Sequence, residues 1–357
     1  MLLEQWGERI RNAAQKRQPL RFRGAGSKDF YGHALIGEIL DTRAYRGIVA
    51  YEPSELFITA RCGTTLAELE KTLAEHGQML AFEPPYFGAD ATLGGCVASG
   101  LSGPRRVQVG ALRDFVLGVK MLDAQGTSLS FGGQVIKNVA GYDVPRLLTG
   151  SLGTLGLLLE ISLKVLPLPA AEETLCFALS QEAALKLINS WRSQALPVSA
   201  SAWADELLSV RLSGASSVLD SFRKKLGGER LAPSAALAFW TALREQTHSF
   251  FAQDDARPLW RIALPANTPA LALADVQAFF EWGGMQRWLR GGAASTIRAL
   301  AEQAGGHATL FRADSACKTE SGTFQPLSAP LLNLHRRLKL AFDEQGIFNP
   351  ERLYPGL

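Results

Sequence analysis

The sequence predicts a globular protein of two domains that combines β-strands with α-helices. Strand-like and helix-like segments alternate through the first half of the 357 residues. The second half, from Ala170 to about Gly305, carries amphipathic helical segments and most of the tryptophans. Pro167 and Pro169 interrupt the chain where the two patterns meet, and the length suffices for two hydrophobic cores. We therefore expect a domain boundary after residue 169.

The composition limits the classes of function. Hydrophobic residues make up 47% and charged residues 20% of the chain, which is typical of a folded protein. With 37 basic and 34 acidic residues the net charge is only +3, so a nucleic-acid partner has no support. The four cysteines are widely separated, which argues against a structural zinc site or an iron–sulfur cluster. We expect reduced thiols and no metal.

The N-terminal segment predicts an amphipathic helix and not a signal peptide. Leu2, Leu3, Trp6 and Ile10 fall on one helical face among charged residues, and the segment contains no uninterrupted apolar run. The most apolar stretch elsewhere, residues 147–163, contains three glycines and a glutamate. It is also shorter than the roughly 20 apolar residues that a membrane span needs. We expect membrane attachment only through partners.

Local signatures predict the elements of the first half. Residues 47–53 and 56–63 are rich in β-branched and aromatic side chains between Gly and Pro, so both predict strands. A helix should follow, because Thr65 and Glu68 have the spacing of a capping box and Gly77 can end the helix.

Further along the chain, residues 115–133 predict a β-hairpin that turns through Gly126, and residues 155–169 predict a strand. Ser180 is the expected N-cap of a helix. The core stripe of that helix is expected to consist of Leu187, Ile188 and Trp191.

The C-terminal region predicts one more helix, which begins after Ser328 and ends before Gly346. Its apolar stripe is expected to consist of Leu331, Leu334, Leu338 and Phe342. The Asn349–Pro350 step then predicts an extended tail, because the residue before a proline disfavours the helical region.

Three glycine-rich segments stand apart from these elements: residues 21–29, 92–110 and 148–156. Glycine loses more conformational freedom on folding than any other residue, so its clustering indicates turns or a backbone that a ligand approaches closely. Consecutive amides in such a loop can hold phosphate oxygens without side-chain bulk. These segments therefore indicate an anionic ligand.

The first of these loops has further features of a phosphate site. Arg23, Ser27 and Lys28 supply positive charge and a hydroxyl group. A Rossmann fingerprint that starts at Gly24 would need glycine where Asp29 stands, and no GxxxxGK[ST] motif occurs in the chain. The three loops together predict a nucleotide cofactor that contains a pyrophosphate, bound by neither of these familiar motifs.

Several separated motifs resemble one family. The segments "RGAGSKD", "ATLGGCVASGLSGPRRVQVGALRDFVLGVKMLDAQG" and "KNVAGYDVPRLLTGSLGTLGLLLEISLKVLPLP" occur in this order. They resemble the flavin domain of FAD-linked oxidases of the vanillyl-alcohol-oxidase type over roughly residues 20–169. The segments "GGQVIKNVAGYD", "GGHATLFRAD" and "GIFNPERL" resemble the E-subunit family of bacterial glycolate oxidase, also called glycolate dehydrogenase. This second resemblance runs nearly from end to end.

The resemblance implies an α+β fold, in which a two-subdomain FAD-binding domain of the vanillyl-alcohol-oxidase type carries an α+β cap domain. The implied divisions are residues 1–169 for FAD binding, 170–325 for the cap and partner contacts, and 326–357 for a C-terminal helix and tail that return to the FAD domain. Some relatives attach FAD to a histidine in the first loop. Residues 23–29 contain none, so the resemblance implies noncovalent FAD.

The same resemblance implies the residues that contact FAD. The loop at 23–28 would hold the pyrophosphate, residues 92–100 would pass the diphosphate and ribityl chain, and residues 153–161 would lie near the adenosine. The implied cofactor-binding residues are Arg23, Gly24, Ala25, Gly26, Ser27, Lys28, Thr92, Gly94, Gly95, Ala98, Ser99, Gly100, Arg105, Asn138, Gly141, Asp143, Gly153, Gly156, Leu157, Ile161, Asn349 and Arg352.

The resemblance also implies partners. In this family a larger catalytic flavin subunit oxidises glycolate to glyoxylate, and an iron–sulfur subunit passes electrons to the membrane quinone pool. This chain has no cysteine cluster and would not be the iron–sulfur subunit. We expect a cytoplasmic protein, peripheral on the inner face of the bacterial inner membrane through the complex.

The substrate-binding features of the wider family are missing from this sequence. Hydroxy-acid-oxidising relatives carry an HxGDGNxH motif, and none of the five histidines here has that spacing. Arg261, Arg290 and Arg312 are candidate carboxylate clamps, and the catalytic residues stay unknown. Three functions remain open. They are an FAD-binding subunit that relays electrons or supports the catalytic subunit, a flavin-free structural subunit, and an independent FAD-dependent hydroxy-acid oxidase.

Overall fold

The computed structural model describes residues 2–133, 141–253, 256–271, 273 and 276–357. The chain forms two compact units. The first unit comprises Met1–Leu101, Gly110–Pro167 and Pro326–Leu357, and the second comprises Ser102–Val109 and Leu168–Gln325.

The short segment 102–109, which the sequence alone assigns to the first domain, belongs to the second unit. Two long-range contacts hold it there. The indole Nε1 of Trp282 donates to the Gly103 carbonyl at 3.0 Å, and Arg105 pairs with Glu172 at 2.7 Å.

Helices form where apolar residues recur at helical spacing behind a capping residue. In chain order they are α1 Leu2–Lys16, α2 Leu66–Ala74, α3 Leu93–Ser99, α4 Arg106–Val109, α5 Val144–Leu148, α6 Gln181–Trp191, α7 Ser216–Leu226, α8 Pro233–Glu245, α9 Ala294–Gln303, α10 Ser315–Ser321 and α11 Ala329–Phe342. The predicted caps of α2 and α6 are confirmed, because Thr65 accepts from the Glu68 amide and Ser180 accepts from the Ala183 amide.

The strands follow the β-branched and aromatic segments of the sequence. They are β1 Leu20–Arg23, β2 Glu38–Asp41, β3 Ile48–Glu52, β4 Phe57–Arg61, β5 Gln78–Met79, β6 Val116–Leu122, β7 Ser128–Gly132, β8 Leu157–Lys164, β9 Leu166–Pro167, β10 Ala171–Ala178, β11 Val198–Ala204, β12 Leu207–Gly214, β13 Glu229–Arg230, β14 Leu259–Ala263, β15 Gln277–Glu281, β16 Gln286–Arg290 and β17 His307–Arg312. The predicted hairpin through Gly126 is confirmed as the antiparallel pair β6–β7.

The first unit contains a five-stranded antiparallel sheet in the order β3-β4-β8-β6-β7. A parallel pair, β1–β2, and an antiparallel pair, β5–β9, lie outside it. Trp6 and Ile10 of the N-terminal helix pack with Leu20, Leu40 and Phe348 in one core. The N-terminal helix and the C-terminal tail therefore share the core that holds β1 in place.

The second unit is built on an eight-stranded sheet in the order β13-β10-β12-β11-β15-β16-β14-β17. Two clusters of buried side chains pack against it. One contains Leu185, Ile188 and Trp191 of α6, which confirms a core stripe on that helix, although Leu187 is only partly buried. The other contains Ile297 and Ala301 of α9.

The C-terminal region shows one feature that its apolar stripe did not indicate, and one expectation for it is wrong. Leu331 and Leu334 of α11 are 48% and 57% exposed, and the buried residue of this helix is Lys339. Lys339 turns inward because its ammonium group donates to two backbone carbonyls and to Asp343, whereas Leu338 and Phe342 are half-buried. The tail also bends, since Asn349 adopts the left-handed φ of 39° and not an extended conformation.

Candidate functional site

A groove crosses the first unit between the loop after β1, helix α3 and the loop before β8. Its two adjoining lobes enclose about 410 and 550 Å³, including the space open to solvent. The groove lies entirely within residues of the first unit.

The loop after β1 presents backbone donors to the groove. Arg23 ends the strand, and its carbonyl accepts both the amide and the hydroxyl of Thr42. The amides of the next four residues, from Gly24 to Ser27, donate to no group in the described part of the chain. Gly26 has a φ of 77°, which allows the loop to turn. Consecutive donors of this kind match the acceptor oxygens of a diphosphate.

Helix α3 forms one wall of the groove. The amide of Gly94 donates to the Cys62 carbonyl at 2.8 Å, which fixes the start of the helix against the end of β4. A Cβ atom on Gly94 would lie 2.9 Å from the Cys62 Cβ, so this glycine is needed for packing. A Cβ atom on Gly95 would meet only the Thr92 hydroxyl, at 3.3 Å. Gly95 and Ala98 therefore expose the helix backbone to the groove.

The C-terminal tail connects the two glycine loops beside the groove. Asn349 accepts from the Phe22 amide at 2.8 Å and donates to the Leu152 carbonyl at 2.6 Å. A Cβ atom on Gly153 would lie 2.7 Å from the Asn349 side-chain nitrogen, so glycine is required where this amide group passes. Asn349 therefore positions the loops on both sides.

Arg352, also in the C-terminal tail, contacts the segment that follows the first glycine-rich loop. Its guanidinium donates to the backbone carbonyls of Asp29, Tyr31 and His33. The side chain is 5% exposed, and burial lowers its pKa to about 10. Because three carbonyls already occupy its donors, Arg352 shapes the 29–33 segment and is not available as a free cation.

A buried ion pair anchors this tail. Lys339 contacts Asp343 at 2.7 Å and also donates to the carbonyls of Thr154 and Phe348. Asp343 in turn accepts from the amide of Phe348. Burial lowers the pKa of Lys339, and the adjacent carboxylate partly offsets this effect. The pair thus fixes the tail next to the loop that precedes β8.

The charges at the groove are largely matched. Arg21 and Arg23 both bind the Asp29 carboxylate. The ammonium of Lys28 donates to the Tyr86 carbonyl at 3.2 Å. Cys62 lines the groove with a buried thiol whose pKa burial raises to about 12, so it is protonated and unreactive at neutral pH. The groove therefore offers binding groups and no activated nucleophile among its described lining residues.

The structure brings most of the sequence-predicted cofactor residues together. Those that line the groove are Arg23, Gly24, Ala25, Gly26, Ser27, Lys28, Thr92, Gly94, Gly95, Ala98, Ser99, Gly153, Gly156, Leu157, Asn349 and Arg352. Their assignment as FAD contacts stays a prediction.

The other predicted residues lie elsewhere. Gly100 is the C-cap of α3 and packs on the 149–150 backbone. Gly141 is exposed, and Asp143 is the exposed N-cap of α5. Ile161 is fully buried in the five-stranded sheet. Arg105 belongs to the second unit, where it binds Glu172 and Ser213. Asn138 lies outside the described residues.

The sequence analysis did not predict some of the residues that line the groove. They are Phe22, Asp29, Leu35, Thr42, Cys62, Leu152 and Leu158. Thr42 and Cys62 each follow a strand of the first unit, so a polar or small residue just after a predicted strand was the available signal.

The three candidate carboxylate clamps lie in the second unit, and two of them, Arg290 and Arg312, donate to oxygen atoms of that unit. Arg290 donates to three backbone carbonyls, those of residues 250, 251 and 253. Arg312 donates through two nitrogens to the Gln246 side chain. The ring of Phe311 lies 5.3 Å from the Arg261 guanidinium. His307 is exposed, and partial burial of its ring lowers its pKa.

Comparison with known proteins identifies the family. A family model described as an FAD binding domain matches residues 4–132. The chain is 46% identical to glycolate oxidase subunit GlcE of Escherichia coli (strain K12) over 351 residues, which cover 98% of this chain and 97% of that protein. The chain belongs to the GlcE family. Its N-terminal part is accordingly an FAD-binding domain, as the sequence predicts.

More distant relatives match less than half of the chain. A D-lactate dehydrogenase of Archaeoglobus fulgidus is 32% identical over 162 residues, which cover 44% of this chain and 35% of that protein. Glycolate oxidase subunit GlcD of Bacillus subtilis is 29% identical over 164 residues, which cover 45% of this chain and 35% of that protein.

Solved structures confirm the fold. Two crystal structures of alkyldihydroxyacetonephosphate synthase superpose with TM-scores of 0.64 and 0.66 at 18% identity, and cover 97% of this chain and 75% of those chains. The predicted α+β fold of the vanillyl-alcohol-oxidase type is therefore correct. No helix within the described ranges is long and apolar enough to cross a membrane.

Proposed function

We propose that this chain is the FAD-binding subunit of a glycolate oxidase complex, which oxidises glycolate to glyoxylate, and that it relays electrons or supports the catalytic flavin subunit. The observation that carries this proposal is the groove of the first unit, with its run of unmatched loop amides beside a glycine-exposed helix. The full-length similarity to a glycolate oxidase subunit supports the choice of complex.

The residues of the groove would hold FAD without a covalent bond. The amides of residues 24–27 would donate to the diphosphate, and Gly95 and Ala98 would let the cofactor lie against α3. When bound, FAD supplies a ring that accepts and returns electrons. The tail residues Asn349 and Arg352 would keep the two loops at the spacing that the cofactor requires.

Oxidation of glycolate itself is assigned to a partner in this proposal. A carboxylate substrate needs a cation that is not already neutralised or saturated. In this chain the guanidinium groups of Arg290 and Arg312 donate to oxygens of the second unit. This favours a larger flavin subunit as the site of substrate oxidation. The name of the GlcD relative indicates that glycolate oxidase has a further subunit. An iron–sulfur subunit and attachment to the membrane through the complex complete the proposed arrangement.

The test is anaerobic reduction of the bound flavin. We expect the purified chain with FAD to keep its oxidised absorption spectrum when glycolate is added, and to bleach once the larger flavin subunit is also present. Bleaching by glycolate without a partner would show an independent oxidase. A chain that carries no flavin, even after FAD is added, would show the structural subunit. If the flavin of this chain stays oxidised while the assembled complex turns over glycolate, the chain does not relay electrons. That result would favour the alternative, in which the chain supports the catalytic subunit.

A further inference from the structure

The second unit contains a separate cavity that the proposed function does not use. It has a volume of about 190 Å³ and lies between α6, β11, the segment 102–109 and the turn at 282–284. Its walls include the indoles of Trp191 and Trp282 and the side chain of Val107. A cavity of about 150 Å³ accommodates benzene. This one therefore has room for a single ring with a small substituent.

The aromatic walls of this cavity are held in fixed positions. The Trp282 indole donates to the Gly103 carbonyl at 3.0 Å, and the Arg106 guanidinium stacks 4.6 Å from its ring centre. Trp191 contacts Phe177 edge to face, with ring centres 6.0 Å apart. Both indoles are less than 10% exposed. The cavity is thus shaped before any ligand arrives, which lowers the entropic cost of binding.

The backbone at Trp282 adopts an unusual conformation. Trp282 has a φ of 57°, and the two glycines that follow it also have positive φ values. A bulky residue rarely adopts this conformation, and such outliers concentrate at binding and catalytic sites. Here the strained turn places the indole in the wall of the cavity and directs the Gly283 carbonyl to Arg192 at 3.1 Å.

Arg192 supplies the charge at the cavity. Its Nε donates to Asn189 at 2.8 Å and its Nη2 donates to Gly283, so the guanidinium is oriented. The remaining nitrogen, Nη1, has no acceptor within the portion of the chain that the structure describes, and no carboxylate there is at ion-pair distance. The lining residues include no Asp or Glu. The site therefore favours a negatively charged ligand.

We propose that this cavity binds a small carboxylate whose apolar body is about one ring in size. The ring would lie between the indoles of Trp191 and Trp282, and the carboxylate would accept a hydrogen bond from Arg192 at the rim. Glycolate and glyoxylate lack such an apolar body, so the ligand is neither the substrate nor the product of the proposed reaction. The site would therefore be distinct from the flavin groove of the first unit.

Calorimetric titration of the FAD-loaded chain with benzoate tests the proposal. We expect millimolar affinity, and binding about tenfold weaker for benzamide, which has the same ring but no charge. Arg192→Gln should weaken benzoate binding about tenfold and leave benzamide binding unchanged. Val107→Trp should block both ligands, because Val107 is an exposed residue at the rim and a larger side chain there closes the cavity.

Lys224→Gln is the matched control, because it removes one exposed positive charge from α7 in the same unit. It should leave benzoate affinity unchanged. The proposal is overturned if benzoate does not bind to the parent chain. It is also overturned if benzoate binds the Arg192→Gln and Val107→Trp variants as tightly as the parent. Equal perturbation of the flavin spectrum in parent and variants would place benzoate in the groove of the first unit, and would likewise refute the cavity.

Discussion

Two adjacent glycines of α3 both line the groove but should respond differently to substitution, because an added Cβ would meet different surroundings at each. An added Cβ on Gly94 would lie 2.9 Å from the Cys62 Cβ and 3.0 Å from its carbonyl, both of which are fixed parts of the first unit. An added Cβ on Gly95 would meet only the Thr92 hydroxyl at 3.3 Å and would otherwise point into the groove. Substitution of Gly94 therefore tests packing, and substitution of Gly95 tests cofactor binding.

We expect Gly94→Ala to lower the free energy of unfolding by about 1–3 kcal/mol, since the methyl group overpacks a well-filled site. Gly95→Leu should leave that free energy unchanged or raise it by up to about 1 kcal/mol, because glycine disfavours helices. The same leucine should raise the dissociation constant for FAD by about 10- to 100-fold, since its side chain occupies space that the cofactor needs.

Urea unfolding of the FAD-free variants measures the first quantity, and titration of the FAD-free chain with FAD measures the second. Gly95→Ala serves as the size control and should have an intermediate FAD affinity. If Gly95→Leu binds FAD as tightly as the parent, the cofactor does not lie against α3 and the placement of the site is wrong. If Gly94→Ala has parental stability, the packing argument at Cys62 fails.

Three further predictions concern the tail and a histidine. Asp343→Asn removes the charge partner of buried Lys339 and should lower the free energy of unfolding by about 3–5 kcal/mol in urea melts, whereas exposed Glu344→Gln should change it by less than about 0.5 kcal/mol. Asn349→Ala breaks the bridge between two groove loops and should weaken FAD binding about tenfold in titrations; parental affinity would contradict the positioning role. Burial lowers the pKa of His248 below 6.5, so the unfolded chain takes up the proton first as the pH falls. Stability should therefore decrease as the pH drops through 6.5, and His248→Gln should make melting less dependent on pH; an equal slope in the variant would exclude this histidine as a cause.

Local signals in the sequence predicted much of the fold correctly. The capping residue Thr65 and the turn at Gly126 are recognisable because each acts on neighbours within a few residues. The apolar stripe of α11 did not reveal which residue of the helix is buried, because the burial of Lys339 depends on a distant partner. Lys339 donates to the carbonyl of Thr154, 185 residues away, and this contact is one of three that hold its ammonium group inside the protein. Tertiary contacts of this kind override helical periodicity.

For the candidate site too, the sequence revealed local features but not long-range contacts. Glycine density pointed to the loops that line the groove, because a close backbone approach needs residues without side chains. The sequence could not reveal that Asn349 bridges Phe22 and Leu152, since the first of these contacts spans 327 residues. Nor could it reveal that Arg105 pairs with Glu172 in the second unit, because the residues next to Arg105 in the sequence do not indicate its partner.

The measurement that tests the central claim most directly is the FAD content of the purified chain. The chain would be incubated with excess FAD, passed through gel filtration and examined for visible absorption alongside the Gly95→Leu variant. The account predicts one retained FAD per chain, released intact on denaturation because it is noncovalent, and a clear loss of flavin in the variant. A parent chain that elutes without flavin would contradict the account and identify a structural subunit.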